Sequence, residues 1–414
     1  MRIPSLLEIG GGEVKRLQCS WCAAVHGIQF LLTAGGDVAF NDAVHRVRGH
    51  DRRAIVEACL VAVALTAPLA SCADKTDADY RVEVTASMHT SITSDLAALV
   101  SAAHDLQTAA PSRAWSPAAD DAAIGRMRQA WGRMRASWEN VEGAVSPMFA
   151  GLDKTMDSRY ENFLRDLGDQ GDQDLFDDEG VIGMHAVERV LFAPRTRAEV
   201  IAFERRLPGY KTAAYPATDD EAIAFKTQLV QRLIDDAEAL SAGWRPDDID
   251  IAAAYHGLVD LMLEQRDKVD LAVTGEEESR YANVTMADLR NNLTGTNKVY
   301  DLFREWIRSK ASAAESSDKQ VVEKLTALMN VYSLNTGDSL PAVPSDWNAA
   351  DPSPASLDTP YGSLWQEIHS SVDPNSTDSV VNVMSQIGSL LGLMVPDSQL
   401  PPHGRRHRHD FQRR

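Results

Sequence analysis

The chain has 414 residues, 44% of them hydrophobic and 24% charged, with a formal net charge of −19. This is the composition of a soluble globular protein with a real core, and its acidic surplus argues against a nucleic-acid partner and for cations. The surplus lies in the body, because the first 72 residues are close to neutral and 401–414 is basic. Few aromatics (7%) and abundant alanine favour helix over sheet.

Residues 1–43 carry no helical or strand periodicity. Cys19-Ser-Trp-Cys22 has redox or zinc spacing but no second ligand pair, so it is not taken as a site. The four cysteines (Cys19, Cys22, Cys59, Cys72) all precede residue 73, and a cysteine-free body suits an oxidising envelope compartment. Arg46, Arg48, Arg52 and Arg53 precede an apolar run over 54–67, followed by Leu69-Ala-Ser-Cys72. A basic start, a short apolar segment and small residues make a secretory signal, too short to span a membrane as a helix. Leu-Ala-Ser-Cys resembles the bacterial lipobox, which implies lipidation of Cys72, a mature chain starting there, and attachment to the membrane through that lipid. The signal's depth in the chain suggests translation starting near Val44 or Val47. The plainer alternative makes Cys59 and Cys72 small residues of a buried helix.

Residues 73–79 read as a polar tether. A helix is expected over 80–110 from Val84, Met88, Ile92, Leu96, Leu99, Ala103 and Leu106. After a break at 111–119, Ile124, Met127, Trp131, Met134, Trp138, Val141 and Val145 repeat at 3-4 spacing up to Pro147, a bundle-seam pattern. Glu142 flanks this stripe and is expected to face the interior, whereas Glu139 lies further round and is expected in solvent unless another helix covers it. The acidic stretch 169–179 reads as a solvated connector whose last acids cap the next helix. That helix, near 183–192, carries His185 and Glu188 three apart on a face with Val181, Met184 and Leu191. Further helices are expected at about 198–207, 219–242, 247–272, 286–309 and 319–333. Residues 335–360 read as a linker-like excursion. Closing helices are expected at 363–372 and 378–394, the last capped by Ser376 or Asp378, before a basic, disordered tail over 396–414.

Gly-rich phosphate loops, the Gly-x-Ser-x-Gly elbow and His-Glu-x-x-His are absent from the sequence. What remains is a pair of polar insertions on apolar helix faces, Glu139/Glu142 and His185/Glu188. Helix bundles build metal sites from such insertions, and imidazole with several carboxylates suits iron, zinc or manganese over copper(I).

Gly183-Met-His-Ala-Val-Glu188 resembles the Gly-x-His-x-x-Glu motif of the imelysin family, in its EfeO/EfeM-like periplasmic branch. Trp138-Glu-Asn-Val-Glu142, Gly151-Leu-Asp153, Met156-Asp157-Ser-Arg159, Thr274-Gly-Glu-Glu-Glu-Ser-Arg-Tyr281 and Asp288-Leu…Asn292…Gly295 resemble further blocks of that branch, in order, over about 80–395. The resemblance implies an all-α fold of two pseudo-related helical bundles, about 80–195 and 196–395. It implies a metal-binding cell-envelope lipoprotein that captures iron, with zinc as the second choice, for an uptake system with a permease and a peroxidase-like partner. Carried over, the ligands fall on Glu142, Asp157, His185 and Glu188, with Glu139 and Glu264 as weaker members. The family's Ser-His after Arg-Tyr is Ala282-Asn283 here.

Two other functions compete. A metallopeptidase would hold zinc on His185, Glu188 and Glu142 with Asp157 as base; the single histidine and lack of a substrate-orienting motif favour binding instead. A polysaccharide binder would use Trp115, Trp131 and Trp138, yet the seam spacing assigns these rings to the core.

Overall fold

The computed structural model describes residues 75–394, so Cys19, Cys22, Cys59, Cys72, the expected signal segment and the basic tail lie outside the described residues. Among the described residues there are helices and no strands, which is the all-α class expected from composition. None of these helices is long and apolar enough to cross a membrane.

Helix α1 (Asp77–Ala109) starts with a capping box in which Thr76 and Asp79 serve each other's backbone, and it buries the expected stripe from Val84 to Leu106. It packs on α2 (Asp121–Glu139), whose buried Ile124, Met127, Trp131, Met134 and Trp138 keep the seam spacing. The seam does not continue as one helix to Pro147. It ends at Glu139, turns through Asn140 and Val141, and restarts as α3 (Glu142–Val145). The turn is wedged from outside, for a Cβ on Gly295 would sit 2.1 Å from the Asn140 carbonyl oxygen. Next come α4 (Ala150–Asp157), α5 (Tyr160–Leu167) and α6 (Gly183–Leu191), with α6 seated between α2 and α4.

The chain continues through α7 (Ala198–Glu204), α8 (Asp219–Ala224), a π turn (Phe225–Leu229) and α9 (Val230–Gly243). Then follow α10 (Ile251–Leu271), α11 (Thr285–Arg308) and α12 (Ser312–Leu334). Short α13 (Pro354–Leu357) leads to α14 (Pro360–Val372) and α15 (Val380–Leu390). The halves expected on either side of residue 195 share one core: α9 lies on α1, α10 on α3, and α11 on α2.

Three local expectations change. The stretch 335–353 is irregular but packed down: Trp347 meets Tyr361 and Trp365 edge-on at 4.9 and 5.3 Å, and Asp338 O accepts from the amides of Met286 and Ala287. Helix α6 has Ile182 at its N-cap and no side-chain cap, so the preceding acids do not cap it; Asp172 is itself buried. Ser379 caps α15, in place of Ser376 or Asp378, by accepting from the Asn382 amide.

Candidate metal centre

The Gly183 position explains why a motif helix begins with glycine. Its φ is +84°, and a Cβ there would lie 2.3 Å from Thr155 O and 2.6 Å from Met156 O. The start of α6 can therefore press against the end of α4, which sets His185 beside Asp157. The imidazole is 2% exposed. Its Nδ1 lies 2.8 Å from Glu188 Oε2, and its Nε2 has no hydrogen-bond partner although Asp157 Oδ1 is 3.4 Å away.

Glu188, counted among the ligands from sequence, has both oxygens engaged. Oε1 accepts from the backbone amides of Tyr281 (3.0 Å) and Ala282 (2.8 Å), and Oε2 holds His185. It fixes the ring from behind, as outer carboxylates do for metal-ligating histidines. Ala282, where the family resemblance has a serine, contributes here only through its backbone.

Three carboxylates meet at the α2–α3 turn. Glu139, expected in solvent unless another helix covers it, is fully buried: it is the last residue of α2, and α11 together with Lys268 of α10 covers that face. Glu142 is buried as expected, and its Oε2 accepts from Asn292 Nδ2 at 3.0 Å. Asp157 Oδ2 accepts from Trp138 Nε1 at 3.0 Å. The potential ligand atoms form two sets within 4.8 Å, Asp157/His185/Glu278 and Glu139/Glu142/Asp157, which share Asp157. Glu264 stands at the rim with its side chain 43% exposed, 3.4 Å from Lys268 Nζ.

Four buried charged residues of the cluster are not singled out by the sequence analysis: Arg135, Lys268, Glu278 and Asp288. Arg135, 1% exposed, pairs with Glu139 and Asp157, and lies 3.2 Å from Glu278 and 3.6 Å from Asp288. Lys268 is the second buried cation, 2.9 Å from Glu278. Signals for them existed. Arg135 sits four residues before Glu139 beside the seam, and Lys268 interrupts the buried run Leu261, Met262, Gln265, Val269. Glu278 lies in the 274–281 block, each of whose last residues anchors a partner: Ser279 donates to Asp288 and Arg280 to Glu161.

Acids outnumber cations here, and the titration behaviour follows. Burial pushes Glu139 up to about 8 despite Arg135 and Lys268, and drives Glu142 well above the usual carboxylate range. Burial likewise raises Asp288 to about 6 and the partly exposed Asp153 to about 8, the latter with help from Asp157. Glu278 goes the other way: burial opposes its charge, but Lys268 and Arg135 bring it down to about 2. The cluster thus combines more carboxyls than cations with an imidazole nitrogen that has no hydrogen-bond partner. The tryptophans of the polysaccharide reading, Trp115, Trp131 and Trp138, are all buried in the core.

A helical protein with a buried histidine–carboxylate cluster is what the fold and site define, and comparison with known proteins agrees. The family model described as Imelysin matches residues 92–349, more than half of the chain. The chain belongs to the imelysin family. Relatives from Staphylococcus aureus strains MSSA476 and COL, each described as an Efem/EfeO family lipoprotein, are 29% identical over 135 residues, 32% of this chain and 46% of theirs. The chain thus spans just under half the length of these relatives.

Proposed function

We propose that this chain captures a divalent transition-metal ion, iron foremost and zinc second, as cargo at Asp157, His185 and Glu278. The observation that carries the reading is His185 Nε2: buried, without a hydrogen-bond partner, aimed at Asp157, with the other ring nitrogen pinned by Glu188. Neutral imidazole and carboxylates are the donor set of a borderline to hard divalent ion. Glu139 and Glu142 form the neighbouring acidic half, and Glu264 marks the side on which the cluster meets solvent.

The relatives' description as lipoproteins supports action at the cell envelope, with the ion passed to an uptake permease and a peroxidase-like partner. Attachment through Cys72 belongs to the same proposal. The peptidase alternative gains nothing from the geometry, since Glu188, one of the three zinc ligands it requires, has both oxygens engaged by His185 and the amides of Tyr281 and Ala282.

Titration of the untagged protein with Zn(II), and with Fe(II) under anaerobic conditions, tests the reading. One ion per chain is expected, lost in His185→Ala. Unchanged stoichiometry in His185→Ala/Asp157→Asn would remove the premise. Casein cleavage abolished by His185→Ala would instead favour the enzyme.

A further inference from the structure

Lys268 occupies a position suited to a second cation. Its ammonium ends inside the acid cluster, with the side chain 4% exposed, and lies 2.9 Å from Glu278 Oε2. Glu139 Oε2 and Glu264 Oε1 are each 3.4 Å away, and Glu142 Oε2 is 3.7 Å away. One proton is donated to Asn292 Oδ1 at 3.0 Å, and the same Asn292 donates to Glu142, so the lysine and its acids are fixed as a unit.

The two ligand sets share Asp157. A carboxylate common to two cation positions is how paired-metal sites are built, the ions standing about 3.5–4 Å apart. One half of this cluster presents an unpartnered imidazole nitrogen. Lys268 Nζ reaches both Glu139 and Glu142 of the other half, as well as Glu278 of the first, and Arg135 pairs with Glu139 and the shared Asp157.

From this arrangement we infer that Lys268 is a tethered counter-cation that fills the Glu139/Glu142 half of a two-cation site and thereby limits the chain to one metal ion. The inference rests on the capture reading for the other half. An ammonium on a four-carbon stem carries a single charge, donates but cannot accept, and cannot leave with the cargo. It neutralises part of the acid cluster while the metal half is empty, and it repels a second dication at close range. A single captured ion then meets an asymmetric site, one face of imidazole and carboxylate and one face of fixed positive charge.

The test uses the full chain and its Lys268→Met and Lys268→Gln variants, titrated with Zn(II) and anaerobic Fe(II). Stoichiometry is read by calorimetry and by elemental analysis after desalting. One ion per chain is expected for wild type and for Lys268→Arg, and two for each neutral variant. The second ion should disappear again in Lys268→Met/Glu142→Gln. Neutral variants that still bind one ion would overturn the inference while leaving capture intact. Wild type that binds none would sink capture itself, and the inference with it. Wild type that takes a second equivalent as tightly as the first overturns the inference without any variant, which covers the case in which neither neutral variant folds.

Discussion

Two buried polar regions lie on either side of the 274–281 block, and they differ in charge balance more than in burial. In one, Arg280 meets Glu161 at 2.8 Å and Glu276 at 3.5 Å, and Arg159 meets Glu161 at 3.2 Å. Arg189 beside it meets Glu204 at 3.1 Å while its guanidinium stacks 4.0 Å from the centre of the Tyr160 ring. Cations and anions match there; burial opposes the Glu161 charge, yet Arg280 and Arg159 hold it at about 2. In the other region Arg135 and Lys268 face Glu139, Glu142, Asp157, Glu278 and Asp288, and burial raises Glu139 to about 8 and Glu142 well above the usual carboxylate range. Depth of burial therefore does not mark a ligand site. What separates the two is charge balance: each carboxylate of the first region has a cation beside it, whereas in the second the acids exceed the cations next to an unpartnered imidazole nitrogen.

That contrast can be broken by mutation. The largest effect expected is on binding: His185→Ala should take metal stoichiometry from one to none, measured by elemental analysis, with the fold intact by circular dichroism. Next is Arg280→Ala, which strands Glu161 in the closed region. It should destabilise the fold by about 3–5 kcal/mol in urea denaturation and leave the number of ions bound by the folded chain unchanged. If Arg280→Ala abolishes binding and His185→Ala does not, the assignment of the two regions is reversed. Glu188→Gln is smaller. It keeps the shape but not the charge that orients His185, so metal affinity should fall about 10–100-fold at unchanged stoichiometry. Loss of binding altogether would instead make Glu188 a direct ligand.

The fold was legible because it is written locally. The 3-4 stripes of α1 and α2 in the sequence are the stripes buried in the structure. The placement of His185 beside Glu188 was legible too, since the two fall three apart on one apolar helix face. Glu139 lies off the seam, and its burial comes from α11 packing on that face of α2 and from Lys268 far along the chain, contacts that periodicity does not reveal. Glu188 was correctly read as buried and polar, but its role depends on the amides of Tyr281 and Ala282, some ninety positions away, which periodicity does not reveal. Lys268 and Arg135 are not singled out by the sequence analysis, although each stands among buried residues of its helix. A charge at a core position is the sequence signal that would have found them.

The last and smallest effect separates the regions by pH. Glu139 and Asp288 are buried acids whose folded values lie near 8 and 6, above the 4.5 and 3.8 of the unfolded chain. Between about pH 4.5 and 8 the folded state thus holds protons that the unfolded state has released, and stability must fall as pH rises through that window. Glu161, held near 2, contributes stability that is complete above its unfolded value of 4.5 and is lost only as pH drops through its folded value. The metal-free chain should accordingly be most stable near pH 5 and lose a few degrees of Tm by pH 8, followed by differential scanning fluorimetry. Zn(II) binds only the deprotonated carboxylates, so its stabilising effect should grow over the same interval and flatten or invert the slope. A metal-free Tm that rises from pH 5 to 8 would show that Arg135 and Lys268 already balance the cluster, and the surplus on which the comparison rests would be gone.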